Sequence, residues 1–207
     1  SLGYKIRKQY DLSIQQLIFF FSLFVVVFST IFLLLLQQPF FTKPALIIGP
    51  PMGLTSAIAI YLYHRVIDTA KHNISWTVIQ FSILIPFFFF FFFYNEQLSL
   101  QGIIGVVLVF LSIILFGIRD RSSVEQAIPS LFTGIILFLA SFLSGINQAL
   151  AKIFTSTFGG ENQFTLLLYA GITMIIVTTS LLLINREPLP GGKKRWGALL
   201  AGGYMGT

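Results

Sequence analysis

The stretch Leu17-Ile-Phe-Phe-Phe-Ser-Leu-Phe-Val-Val-Val-Phe-Ser-Thr-Ile-Phe-Leu-Leu-Leu-Leu36 holds twenty residues without a charge. At about 1.5 Å of rise per residue, a helix of this length reaches the roughly 30 Å of a bilayer's hydrocarbon layer. Outward along the chain come further apolar runs: Ala45–Val66, Trp76–Tyr94, Ile103–Ile118, Ile128–Phe154 and Phe164–Ile184. The sequence therefore predicts an all-α, polytopic membrane protein with six spans.

The cations agree. When the connections are assigned alternately to two sides, one side receives Lys5, Arg7, Lys8, Arg65, Lys71, Arg119, Arg121, Arg186, Lys193, Lys194 and Arg195. The other receives only Lys43 and Lys152. Membrane proteins keep Lys and Arg cytoplasmic, whereas a soluble chain has no reason to sort them by parity. Hydrophobic residues make up 56% of the chain and charged ones 10%, too little polar surface for a soluble domain of this size. The net charge of +6 thus points to membrane lipids as partners and not to nucleic acid. The absence of cysteine excludes thiol chemistry and cysteine-ligated metals. No cleavable signal peptide is read, because the first 13 residues are polar and basic and the first apolar run is full length. The expected location is a cell membrane, crossed several times, in a bacterium. The first residue is Ser, and Trp196–Thr207 reads as an incomplete seventh span. An internal piece of a longer protein is expected.

An internal repeat is legible. Ala45-Leu-Ile-Ile-Gly49-Pro-Pro-Met52-Gly53 matches Ala198-Leu-Leu-Ala-Gly202-Gly-Tyr-Met205-Gly206 at a spacing of 153 residues. Each follows a long apolar span that opens near a Gln-bearing turn, Ser13-Ile-Gln15-Gln16 or Asn162-Gln163-Phe164-Thr165. Span 17–36 then corresponds to 164–184, and 45–66 to the seventh. Ile128–Phe154 has no counterpart, so one helix is expected ahead of residue 1. The implied unit is five helices, and an odd number inverts successive copies. Residues 1–120 form the first repeat without its first helix, with spans near 17–36, 45–66, 76–94 and 103–118. Residues 121–207 form a truncated second, with spans near 128–154, 164–184 and 196–207.

Pro86 lies in an apolar helix that ends in Tyr94-Asn-Glu96-Gln-Leu98-Ser99, with Gly105 nine residues past the glutamate. This pattern resembles the EamA-like branch of the drug/metabolite transporter superfamily, although Gln101 stands one place early and Ser112 replaces a second glycine. The resemblance implies ten helices in two inverted five-helix halves, of which this chain would hold the second to the seventh and the start of the eighth. It implies transport of small organic metabolites or drugs, read here as export. Family members start the second helix outside the cytoplasm; the cation count starts it inside, and we follow the count.

Small residues at Gly49, Gly53 and Ala57, at Gly202 and Gly206, and at Gly105 predict close helix packing. Pro50 and Pro51 predict a bend, either for packing or for lining a cavity. His64, Asp68 and His72 share a face at helical spacing, but their position at a basic span end favours an interfacial turn over a metal site. Phe87–Phe93 covers every face of its helix and offers no address for a ligand. Trp76 reads as an interfacial anchor. Gln80 needs a partner inside its span. Ser144, Gln148 and Lys152 repeat every four residues with Asn147 alongside, either as a snorkelling helix end or as a cavity lining. Glu96 reads as a capping or pairing acid. Asp11, Asp68, Glu96, Asp120, Glu125, Glu161 and Glu187 all fall at span edges or in connections, so no carboxylate proton relay is expected within the visible spans. The substrate-binding candidates are accordingly Gln80, Ser144, Asn147 and Gln148, with Tyr61 and Tyr169 as aromatic walls. Neither catalysis nor a cofactor is expected. The competing classes are a non-transporting subunit or sensor, and an integral-membrane enzyme acting on lipid-linked substrates, for which the His64/Asp68/His72 trio is the one candidate.

Overall fold

The structure, a computed structural model, describes residues 2–67, 81–94, 100–119, 131–159 and 162–203. Among them every regular element is helical: α1 Leu2–Gln9, α2 Ile14–Leu35, α3 Lys43–Ile67, α4 Leu84–Phe93, α5 Leu100–Arg119, α6 Leu131–Phe158, α7 Gln163–Ile184 and α8 Gly192–Gly203, with a 3₁₀ turn at Phe81–Ile83 before α4. Helices α2, α3, α6 and α7 are long and apolar enough to cross a bilayer. The described residues are thus all-helical in their regular elements, with four helices of membrane-spanning length, which suggests a membrane protein. The expected span 103–118 is covered by α5, and that at 76–94 is described only from Phe81. Two helices depart from expectation. The polar start of the chain forms α1, and α8 begins at Gly192, four residues before the apolar run at Trp196.

Two compact units are present, one of residues 1–61 with 150–207 and one of residues 62–149. The first unit is built around α2 and α7. A capping box starts α2: the Ser13 hydroxyl accepts from Gln16 N–H, and Ser13 N–H donates to Gln16 Oε1, both at 3.1 Å. Gln37 at φ 52° ends it in the left-handed region. There Gln37 N–H donates to Leu34 O and Gln38 N–H to Leu33 O, a Schellman arrangement. Helix α7 ends in the same way, with Arg186 at φ 53°, Arg186 N–H donating to Leu183 O and Glu187 N–H to Leu182 O.

The likeness extends through the unit at a constant separation of 149 residues. Ile14 matches Gln163, Leu35 matches Ile184, and Lys43 at the start of α3 matches Gly192 at the start of α8. Gln9, the end of α1, matches Phe158, the end of α6. The turns are clamped crosswise. Thr165 Oγ1 donates to Pro39 O, and Gln16 Nε2 donates to Pro188 O, each at 2.7 Å. Both the donors and the acceptors stand 149 residues apart.

The contacts define directions. Phe32 stacks on Phe164 at 4.8 Å, Gly171 lies against Val25 and Val26, and Gln16 reaches Pro188, so α2 and α7 are antiparallel. Helix α3 runs parallel to α7, with Gly49 on Tyr169, Gly53 on Ala170 and Thr173, and Ala57 clustered with Met174. Helix α8 runs parallel to α2, with Gly197 on Tyr10, Ala198 and Ala201 clustered with Leu17 and Phe20, and Gly202 on the Phe20–Phe21 backbone. The interior is sealed by small and hydroxylated residues: Ser22, Ser29, Thr165 and Thr178 are fully buried. Thr178 returns its hydroxyl to Met174 O at 2.7 Å, which removes the need for an outside partner.

Two expectations are corrected. The sequence spacing of 153 pairs Gly49 with Gly202, whereas the elements pair Gly53 with Gly202. A Cβ on either glycine would meet partner backbone, at the Ala170 carbonyl or at Phe20 C (2.8 Å). A shift of four residues is about one helical turn and keeps the face, so both spacings align glycine with glycine. Gly105, expected at a helix contact, is exposed with no described atom within 4 Å of its Cβ position. Helix α5 turns that residue outward, beside the exposed Ile104 and Leu108. Gly206 lies outside the described residues.

Candidate functional site

The polar stripe of α6 lies in the second unit. Gly145 sets its geometry. A Cβ there would stand 2.5 Å from Ile85 Cβ and 2.8 Å from Ser82 O, so the two elements approach closely at this glycine. That approach lets Gln148 Nε2 donate to the Ser82 hydroxyl at 3.0 Å. Ser82 sits in the 3₁₀ turn because Pro86, four residues on, has no N–H to give the Ser82 carbonyl. Pro86 is the third residue of α4, where a missing N–H is tolerated, so the α-helix begins only at Leu84. Pro86 thus shapes the turn that meets α6.

Ser141 is buried on the same stripe, and Ser144, Asn147 and Gln148 are half-buried. The Asn147 Oδ1 atom is buried and has no hydrogen-bond partner among the described residues. An amide oxygen left in this state costs about 1–3 kcal/mol, so a further donor would fit here. The patch offers hydroxyls and amides, groups that orient a ligand by hydrogen bonds without burying a charge.

The other candidates fall elsewhere. Gln80, Glu96 and Ser99 lie outside the described residues, as do Asp68, His72 and Trp76. His64 is buried beside Tyr63, with ring centroids 5.6 Å apart. Tyr61 flanks the Ile18–Ala57–Met174 cluster, and Tyr169 packs on the Ala45–Met52–Phe154 cluster against Gly49; both belong to the first unit. In the phenylalanine run Phe90 turns inward, Phe88, Phe91, Phe92 and Phe93 are exposed, and Phe88 stacks on Phe92. Sequence reasoning left Ser82 out of the site. Its place four residues before Pro86 was the available signal. No protein-family model, curated protein or solved structure matches the chain.

Proposed function

We propose that the protein is an integral-membrane transporter of small organic molecules that works by alternating access. The observation that carries this reading is the crossed pairing in the first unit, where α3 lies along α7 and α8 along α2, with matched turns and clamps 149 residues apart. An axis that exchanges two antiparallel spans lies in the membrane plane, which is the arrangement of inverted-topology repeats in secondary transporters. The Pro86 motif and its likeness to the EamA-like transporters accord with it, as does export from a bacterial cell. Substrate contact falls to the Ser144–Asn147–Gln148 stripe, with Asn147 Oδ1 as the acceptor for a neutral donor. The test is substrate-dependent flux in sealed vesicles holding the full-length protein. Asn147→Ala should raise the apparent KM several-fold with expression intact. Unchanged KM would remove Asn147 from the site, and absence of flux for every class of small organic solute would remove the transport reading.

A further inference from the structure

We propose that the cation-rich end of the first unit is a binding surface for anionic phospholipid headgroups. The proposal rests on α2 and α7 crossing a bilayer and is independent of the transport reading. Lys8 closes α1, with Arg7 buried beside it, Arg186 lies in the turn after α7, and Lys193, Lys194 and Arg195 open α8. Three contacts bring these segments together: Gln16 Nε2 on Pro188 O at 2.7 Å, Gly197 beneath Tyr10, and the Lys194–Asp11 ion pair at 3.2 Å. The same segments hold seven cations (Lys5, Arg7, Lys8, Arg186, Lys193, Lys194 and Arg195) and two acids, Asp11 and Glu187. The side chains of Arg186 and Arg195 are exposed.

The matched half supplies an internal control. At 149 residues' separation, Arg7 corresponds to Ser156, Lys8 to Thr157, Arg186 to Gln37, Lys194 to Ala45 and Arg195 to Leu46. The same backbone frame is therefore built at the other end of the α2/α7 pair without any of these charges, and the fold does not require them. Their position is also unfavourable in isolation. Basic residues crowd the first turn of α8, where the helix dipole already presents its positive end. A phosphate at that place satisfies both the side chains and the dipole. The site is at headgroup depth, because it encloses the start of α2 and the end of α7. Trp196, 71% exposed beside Arg195, adds an indole suited to the same layer. Lipid is accordingly the source of the anion.

The test uses purified full-length protein in neutral detergent, with phosphatidylglycerol or phosphatidylcholine added and retained lipid measured by native mass spectrometry. Phosphatidylglycerol should be retained preferentially. Arg186→Gln with Arg195→Gln should weaken its retention roughly 25-fold, about fivefold per cation. Lys43→Gln, at the neutral end, should leave it unchanged. For the unaltered protein, raising salt from low to molar concentration should release the lipid, because exposed charges are screened. Equal retention of phosphatidylcholine, salt-insensitive retention, or wild-type retention in the double variant would each overturn the proposal.

Discussion

Gly53 and Gly202 sit where a side chain would run into the partner helix's main chain, at Ala170 and at Phe20. Main chain cannot rotate aside as a side chain can, so Gly53→Leu and Gly202→Leu should each destabilise by about 3 kcal/mol or more, at or beyond the upper end of ordinary overpacking. Gly105→Leu should be silent, because its Cβ position is open. The thermal midpoint and yield of monodisperse protein check all three. Gln148, a member of the candidate stripe, also joins two helical elements. Its amide is held by Ser82, so Gln148→Ala should lower stability by roughly 0.6–1.7 kcal/mol, the range for hydrogen bonds between membrane helices. A double-mutant cycle with Ser82→Ala should show that most of this loss is shared. Additive losses would mean that the bond contributes nothing.

Among the elements, the two clamps have the same design and different surroundings. Thr165 is fully buried, and the Gln16–Pro188 bond is exposed. Thr165→Val should therefore cost about 0.5–1.5 kcal/mol, the net worth of a hydrogen bond whose donor is buried and whose acceptor residue, Pro39, is exposed. Gln16→Ala should cost below about 1 kcal/mol, since water replaces the amide at Pro188. Hydrogen exchange at Gln38 and Glu187, whose N–H groups close the two Schellman turns, reads each effect locally. The spans themselves were legible because uncharged runs of about twenty residues admit few other readings. Helix α1 was not. An eight-residue polar segment is too short to be helical alone and owes its form to packing on α8. The glycine motif recurs in the sequence at 153 residues and the helix boundaries at 149, a difference of about one turn that preserves the helix face. The site was legible as a stripe on α6 and not as a contact, since Ser82 lies 66 residues from Gln148.

For the whole chain, orientation is the property most directly open to measurement. Lys71, Arg119, Arg121 and Lys193–Arg195 fall on one side by the alternation of spans, and their connections are expected to be cytoplasmic. The native sequence has no cysteine, so single substitutions report cleanly. A cysteine at Ser122 or at Gly191 should resist an impermeant thiol reagent added to intact cells and react once the cells are opened. Labelling in intact cells at either position would reverse the orientation.

The crossed arrangement also fixes an order of events during synthesis. Helix α3 leaves the ribosome early, yet the surface that receives Gly53 belongs to α7, at Ala170. At about 5–20 residues per second, the intervening stretch takes on the order of 6–20 s to make. Through that interval the small-residue face of α3 has no native partner from α7, and any other span with a smooth face competes for it. Newly inserted chains should therefore be most vulnerable to mispairing and membrane proteolysis before α7 emerges. Slowing translation between the two helices should lower the yield of folded protein more than slowing it after α8.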